Sequence, residues 1–290
     1  MPRTLFATLG IGADFCVRRI PLDAATQNTV TQNFETQETT FLDGKDDEHL
    51  FEGDYSPDPN ELMYVDDLPE AARIVGALEG NALAVDTLTD AELSSGRVRS
   101  LFTGYSADGT TFASIQNFQR SQVLTQGRSL FKSNDTYTAI TQTGLTIGPA
   151  VSCVVVNERM KFEHLTKAKR IFDLSAIVRE ATEPEVRQFA AHASLSIGNL
   201  DEFVAQTDQT LRKKIYQIGR SGILDQHPVA HIEQAATALG MDLTVKDDRI
   251  ELPATKREMK KVIQFLDDGI YRSGLTDTLY YTNSKRRLNP

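Results

Sequence analysis

Val151-Ser152-Cys153-Val154-Val155-Val156 is the stretch that decides the fold. It is almost continuously apolar and rich in β-branched residues, so it reads as a central strand buried on both faces, not as a surface strand with one wet side. Directly after it, near Asn157, the texture of the chain changes. From Phe162 onward the apolar positions Leu165, Ala168, Ile171, Phe172, Leu174 and Ile177-Val178 recur every three to four residues, which predicts an amphipathic helix. The expected architecture is therefore α+β: a β-rich domain over residues 1–158 and a mainly helical domain over 159–290 that carries a small hairpin.

Working back from Val151, the N-terminal half alternates β-prone runs with turn residues. Leu5–Leu9 and Phe15–Ile20 flank Gly10-Ile11-Gly12-Ala13-Asp14, a hairpin-like pair. Further strands are predicted at Ser100–Tyr105, Thr111–Phe118, Ser129–Lys132 and Thr136–Thr141, punctuated by Asp108-Gly109, Ser133-Asn134-Asp135 and Gly148-Pro149. Gly10 and Gly12 do not make a phosphate loop, because the third glycine and following helix of a dinucleotide fingerprint are missing. Nor does the sequence contain a Gly-Lys-Ser/Thr for a nucleoside triphosphate.

Working forward, Glu183-Pro184-Glu185 opens a helix with proline in the first turn and acids beside it. One or two helices follow over Asp201–Ile218, and another over Pro228–Leu239 ends at Gly240. Met241–Leu252 reads as a hairpin on an Asp247-Asp248 turn, and Thr255 is placed to cap a helix running to about Leu266.

With 290 residues, 40% hydrophobic and 24% charged, the chain has the make-up of an ordinary globular protein of one large or two modest domains. No window approaches the roughly 18 apolar residues of a membrane span, and Met1-Pro2-Arg3-Thr4 leads into a strand-like run, so a cytoplasmic location is expected. Cys16 and Cys153 sit in strand-like apolar surroundings and are expected to be reduced, buried thiols.

The net charge of −9 is unevenly spread. Residues 1–160 hold 11 basic and 22 acidic side chains, whereas residues 161–290 hold 20 and 18. Much of the acid lies in a run over residues 43–70, with Asp46, Asp47, Glu48, Glu52, Asp54, Asp58, Glu61, Asp66 and Asp67. Its first part reads as an acidic loop, and Pro69 then opens a short helix. The alternating pattern of a calcium loop is absent, which leaves a solvated acidic surface able to face a basic partner.

Catalytic patterns are scarce, and a non-enzymatic protein without cofactor or metal is expected. His227 and His231 share helical i, i+4 spacing, but no His-Glu-x-x-His surrounds them. Ser94-Ser95-Gly96 and Gly219-Arg220-Ser221-Gly222 are not the nucleophile elbow of a hydrolase. Glu158-Arg159-Met160-Lys161 has acid and base but no matching upstream acid for a nuclease. What stands out instead is base clustering: Arg212-Lys213-Lys214, Lys256-Arg257 with Lys260-Lys261, Arg272, and Lys285-Arg286-Arg287, with Tyr216, Tyr271, Tyr280 and Tyr281 nearby. On a helix, Lys256, Arg257, Lys260 and Lys261 form one stripe while Met259, Val262, Ile263 and Leu266 turn inward. Such a stripe can follow a phosphate backbone; it can equally be a solvated face balanced by Glu251, Glu258, Asp267 and Asp268.

Several blocks carry a resemblance beyond composition. Leu130-Phe131-Lys132 with Tyr137, Val151–Val156 leading into Asn157 and Phe162-Glu163, Leu211-Arg212-Lys213-Lys214, and the ending Tyr271-Arg272-Ser273-Gly274-Leu275-Thr276, Tyr280-Tyr281, Ser284-Lys285 resemble the family of KwaB, a component of the Kiwa anti-phage defence system. The likeness covers about the last 160 residues. It implies a non-enzymatic effector that binds double-stranded phage DNA and works with a membrane partner, KwaA, at the inner face of the membrane. It also implies a homodimer or larger assembly. The candidate phosphate contacts are then Lys213, Lys214, Lys256, Arg257, Lys260, Lys261, Arg272, Lys285, Arg286 and Arg287. The alternative is a scaffold whose acidic face docks a partner protein, with DNA binding incidental. Ser273–Thr276 fits either a contact or a packing turn.

Overall fold

The computed structural model describes residues 2–53, 55–124, 129–140, 142–282 and 284–285, the side chain of Ser133 excepted. The described chain is α+β, with a large sheet in the N-terminal half and most helices in the C-terminal half. Two compact units are present. The first comprises residues 1–51 and 57–173, and the second comprises residues 52–56 and 174–290. The division thus falls later than the change of texture at residue 158.

In the first unit the run around Val154 lies where its composition demands. Cys153–Val156 is the fifth of eight strands, in the order Cys16–Ile20, Leu5–Leu9, Val98–Ala107, Thr110–Asn117, Cys153–Val156, Arg159–Phe162, Glu61–Val65 and Asp47–Leu50. Cys153, Val154 and Val155 are fully buried. Neighbours pair antiparallel, except that Asp47–Leu50 runs parallel to Glu61–Val65. The helix Ala24–Leu42 packs Val30 and Phe34 with Leu5, Ala7, Leu9 and Leu101. Residues of opposite parity, Phe6, Phe102 and Ile115, are fully buried as well, so both faces of the sheet are covered. The helix Pro69–Glu79 lies against the strands Cys16–Ile20, Val98–Ala107, Thr110–Asn117 and Cys153–Val156.

Two expectations change here. The acidic run is not a simple loop: Asp47–Leu50 and Glu61–Val65 are sheet strands within it, and Glu61 is buried beside His49. The predicted helix from Phe162 is also broken. Phe162 belongs to a strand, opposite Cys153 and Met63, and only Leu165–Ala168 is helical before the turn that leads to Asp173. The buried carboxylate of Glu70 accepts the backbone N–H groups of Gly12 (2.9 Å) and Asp173 (3.1 Å), so the chain bends where a helix would have continued.

The second unit follows the predicted order closely. Glu183–Ala190 carries Pro184 in its first turn, with Thr182 and Glu185 bonded across that turn. Leu200–Gln206, Gln209–Ser221 and Val229–Ala238 come next, the last stopped by Gly240 at φ 69°. The hairpin Val245–Lys246/Arg249–Glu251 turns at Asp247 and Asp248, both at positive φ, and gains Leu195–Ser196 as a parallel third strand. The core joins Leu211, Ile215 and Ile218 with Met259, Val262, Ile263 and Leu266.

Candidate nucleic-acid interface

The helix Lys256–Leu266 begins after Thr255, whose hydroxyl donates to the Glu258 carboxylate (2.7 Å). Its apolar positions Met259, Val262, Ile263 and Leu266 are buried in the unit's core, which fixes the rotation of the helix and turns Lys256, Arg257, Lys260 and Lys261 outward. Lys256 and Lys260 lie along one line of the helix, Arg257 and Lys261 along the next. Lys256 pairs with Asp208 at 2.9 Å, both side chains remaining about half exposed (51% and 43%). The Asp208 carboxylate is held below its ordinary range by the hydrogen bond from Lys256, the Leu211 N–H and the nearby charge of Lys260. Among the described residues, Arg257, Lys260 and Lys261 make no ion pair. Lys261 also borders a concavity of about 720 Å³, together with Glu202, Glu251 and Glu258, so the ridge has an acidic neighbour on one side.

Asp208 is the N-cap of Gln209–Ser221, accepting the N–H of Leu211 (3.1 Å). The two helices pack together, tied at their starts by Lys256–Asp208 and further along by Lys214–Asp267. The two pairs come in the same order along both helices, Asp208 before Lys214 and Lys256 before Asp267, so the helices run in the same general sense. Lys213 stands exposed on the first of them.

Three candidate contacts are redirected by their surroundings. Lys214 is buried at 9% exposure, with its ammonium 2.9 Å from Asp267, itself 6% exposed. This lysine is a structural charge and no phosphate ligand. Arg272 donates to the Asp277 carboxylate (3.0 Å) and to the Leu239 carbonyl (2.7 Å), which ties the hairpin Ile270–Arg272/Leu279–Tyr281 down. Lys285 also reaches Asp267, with its backbone oxygen and, at 3.4 Å, its carboxylate. Arg286 and Arg287 lie outside the described residues. The ridge that remains is Lys256, Arg257, Lys260 and Lys261, with Lys213 on the adjacent helix.

No other chemistry gathers with comparable clarity. His227 and His231 are neighbours, Nδ1 to Nδ1 3.2 Å, with Pro228 at the N-cap between them. Both cysteines are free, and burial pushes the Cys153 thiol far above its ordinary range. Among the described residues no group of three or more His, Cys, Asp or Glu side chains is arranged to hold a metal ion. Among the same residues no helix is long and apolar enough to cross a membrane.

Fold and site together define an α+β protein with a mixed eight-stranded sheet in one unit and a cationic helix in the other. The family model described as Kiwa protein KwaB-like matches residues 110–276, more than half of the chain, and the chain belongs to that family. It is thereby a component of Kiwa anti-phage defence. The matched span takes in Lys213 and the whole Lys256–Leu266 helix but stops before Tyr280 and Lys285. No curated protein and no solved structure matches the chain.

Proposed function

We propose that the protein is a non-enzymatic defence effector that grips phage DNA through the cationic helix of its C-terminal unit. The same reading makes it a cytoplasmic homo-oligomer held at the inner face of the membrane by a KwaA-like partner. The observation that supports DNA binding is the trio Arg257, Lys260 and Lys261: exposed, on one helix, and without an ion pair among the described residues. Backbone phosphates are the partner that such a sequence-blind row of fixed cations fits, and Lys256 can join by exchanging Asp208 for a phosphate.

Four phosphate contacts give a log–log salt slope of about −3.6, which weakens binding about 100-fold between 50 and 200 mM salt. Gel shifts or anisotropy on duplex DNA across that range are the test. Arg257→Gln, Lys260→Gln and Lys261→Gln together should flatten the slope by about 2.7. Duplex binding that is absent at low salt, or a slope that the triple variant leaves untouched, refutes the reading.

The scaffold reading is favoured by one observation, the exposed acids Asp43, Asp46, Asp47, Asp58 and Asp67 on the first unit. Because Asp47–Leu50 and Glu61–Val65 are sheet strands, removing residues 43–70 would unfold that unit. Neutralisation to asparagine at Asp46, Asp47 and Asp58, followed by pull-down of the membrane partner, distinguishes docking from DNA binding.

A further inference from the structure

The hairpin that closes the described chain presents aromatic rings to solvent. Its strands, Ile270–Arg272 and Leu279–Tyr281, pair Tyr271 directly with Tyr280. These two rings stack, with centroids 5.5 Å apart and planes 20° from parallel, yet remain 49% and 43% exposed. Tyr281, paired with Ile270, is on the opposite face of the ribbon and is 65% exposed. A two-stranded ribbon alone is marginal in water, and this one is fastened from outside. The buried Gln264 amide donates to the carbonyls of Gly269 (3.1 Å) and Thr282 (2.9 Å) at the base of the ribbon. Arg272 fastens its middle to Leu239. A Cβ at Gly269 would stand 1.8 Å from the Gln264 amide nitrogen and would have to displace that amide from its place at the base.

Gln264 also fixes where the ribbon stands relative to the cations. Lys260 and Lys261 precede it by one turn of the same helix, about 6 Å along the axis. Tyr280 and Tyr281 lie two residues and one residue before Thr282, at most about 7 Å along the strand. The exposed rings and the exposed ammonium groups therefore both lie near the Gln264 anchor, within the reach of a short strand of nucleic acid. Aromatic faces beside a cationic track form the combination that holds unstacked bases while lysines follow the phosphates. A duplex keeps its bases stacked inside and can use only the cations.

We propose that the Tyr271–Tyr280 face of the ribbon is a stacking platform for unpaired bases, so that the protein holds single-stranded DNA by rings and lysines together. The inference rests on the DNA-binding reading above and names the form of DNA that engages the whole site.

The test compares a labelled oligothymidylate with a mixed-sequence duplex of equal length, using the full chain. Tyr280→Leu should lower oligothymidylate affinity about tenfold, the loss of one stacked base, and leave duplex affinity nearly unchanged, whereas Tyr280→Phe should bind as the parent does. The chain has no tryptophan, so its tyrosine emission is directly visible and should be quenched by the single strand. Duplex affinity of the same Tyr280→Leu sample reports whether the cationic site is intact. If both DNA forms bind but Tyr280→Leu holds the single strand as well as the parent, the platform is refuted and the DNA-binding reading survives. A shift in oligomeric state by light scattering with unchanged DNA affinity marks the ribbon as a self-association surface and equally refutes it. If neither form binds, both readings fail.

Discussion

The two units treat their cations differently. In the first, four basic side chains beside the sheet are held by neighbouring carboxylates. Arg3 sits between Glu35 (3.3 Å) and Glu38 (2.8 Å), and Arg18 holds Glu92 at 2.9 Å. Arg159 makes a two-pronged bond to Asp66 (2.7 and 3.0 Å) with its guanidinium 4.0 Å over the Tyr64 ring, and Lys161 takes Glu48. In the second unit the helix Lys256–Leu266 leaves Arg257, Lys260 and Lys261 without such partners among the described residues. The contrast teaches that charge count is a poor guide to a binding face. The second unit is nearly neutral by composition, yet it holds the exposed row, because apolar packing rotates one helix so that its bases face outward. The first unit also exposes Arg97, Arg99, Arg120, Lys169 and Arg170 without an ion pair among the described residues, but not along one helix face.

The strongest way to break the contrast is to attack the most deeply buried ion pair of the second unit. Lys214 and Asp267 form a buried pair, and removing one partner leaves an uncompensated charge in the core. Asp267→Ala should cost about 3–5 kcal/mol, seen as a large drop in the midpoint of urea unfolding followed on the second unit. Asp267 also anchors Lys285, so the C-terminal segment should loosen with it and show faster amide exchange around the ribbon. Lys214→Met leaves the Asp267 carboxylate buried with only Lys285 beside it and should also be costly, whereas Lys214→Met with Asp267→Leu removes both charges and should cost much less.

A second probe uses pH. The Glu185 carboxylate is held down to about 2 by the Arg179 guanidinium, helped by the Thr182 N–H. A carboxylate whose folded value is depressed stabilises the fold above its unfolded value and loses that contribution as pH falls through the folded one. Denaturation measured from pH 5 down to pH 2 should therefore show the second unit weakening, and Glu185→Gln should remove part of that slope. With about a third of the side chain exposed, solvent trims the size of the effect but leaves its sign. An unchanged slope in Glu185→Gln would show the pair to be silent.

Much of this architecture is written locally. Cys153–Val156 reads as a buried strand because nearly every residue in it is apolar, and Asp247-Asp248 reads as a turn because short acids tolerate positive φ. The helix Ala24–Leu42 escapes such reading. It is built mainly from Thr, Gln, Asn, Glu and Ala, with only Val30, Phe34 and Phe41 as buried apolar markers, and its one local sign is Asp23 capping the Thr26 N–H at 2.9 Å. The predicted helix beyond Phe162 fails for the opposite reason. Its apolar residues do become buried, but through a strand, a short helical turn and a bend bonded to Glu70, a partner distant in sequence. For the site, charge clustering finds the Lys256–Lys261 row but cannot separate Lys213 from Lys214. Spacing can: Lys214 lies three residues after Leu211 and four before Ile218, on the inward line of its helix.

The smallest effect is the sharpest test of the contrast, because it asks for a stability change in one unit and none in the other. Lys260→Gln with Lys261→Gln removes two charges that make no ion pair among the described residues, so unfolding free energy should move by less than about 0.5 kcal/mol. Any change should favour the fold slightly, since Lys256, Arg257, Lys260 and Lys261 repel one another on adjacent lines of one helix. Arg159→Gln removes a two-pronged carboxylate bond and a cation–π contact together, and should cost about 1 kcal/mol even though both side chains are roughly 40% exposed. DNA affinity should respond in the opposite order, falling in the lysine variant and holding in Arg159→Gln. If the lysine variant loses as much stability as the arginine one, Lys260 and Lys261 are tied into the unit's own structure, and the helix has no free cations left to offer a phosphate backbone.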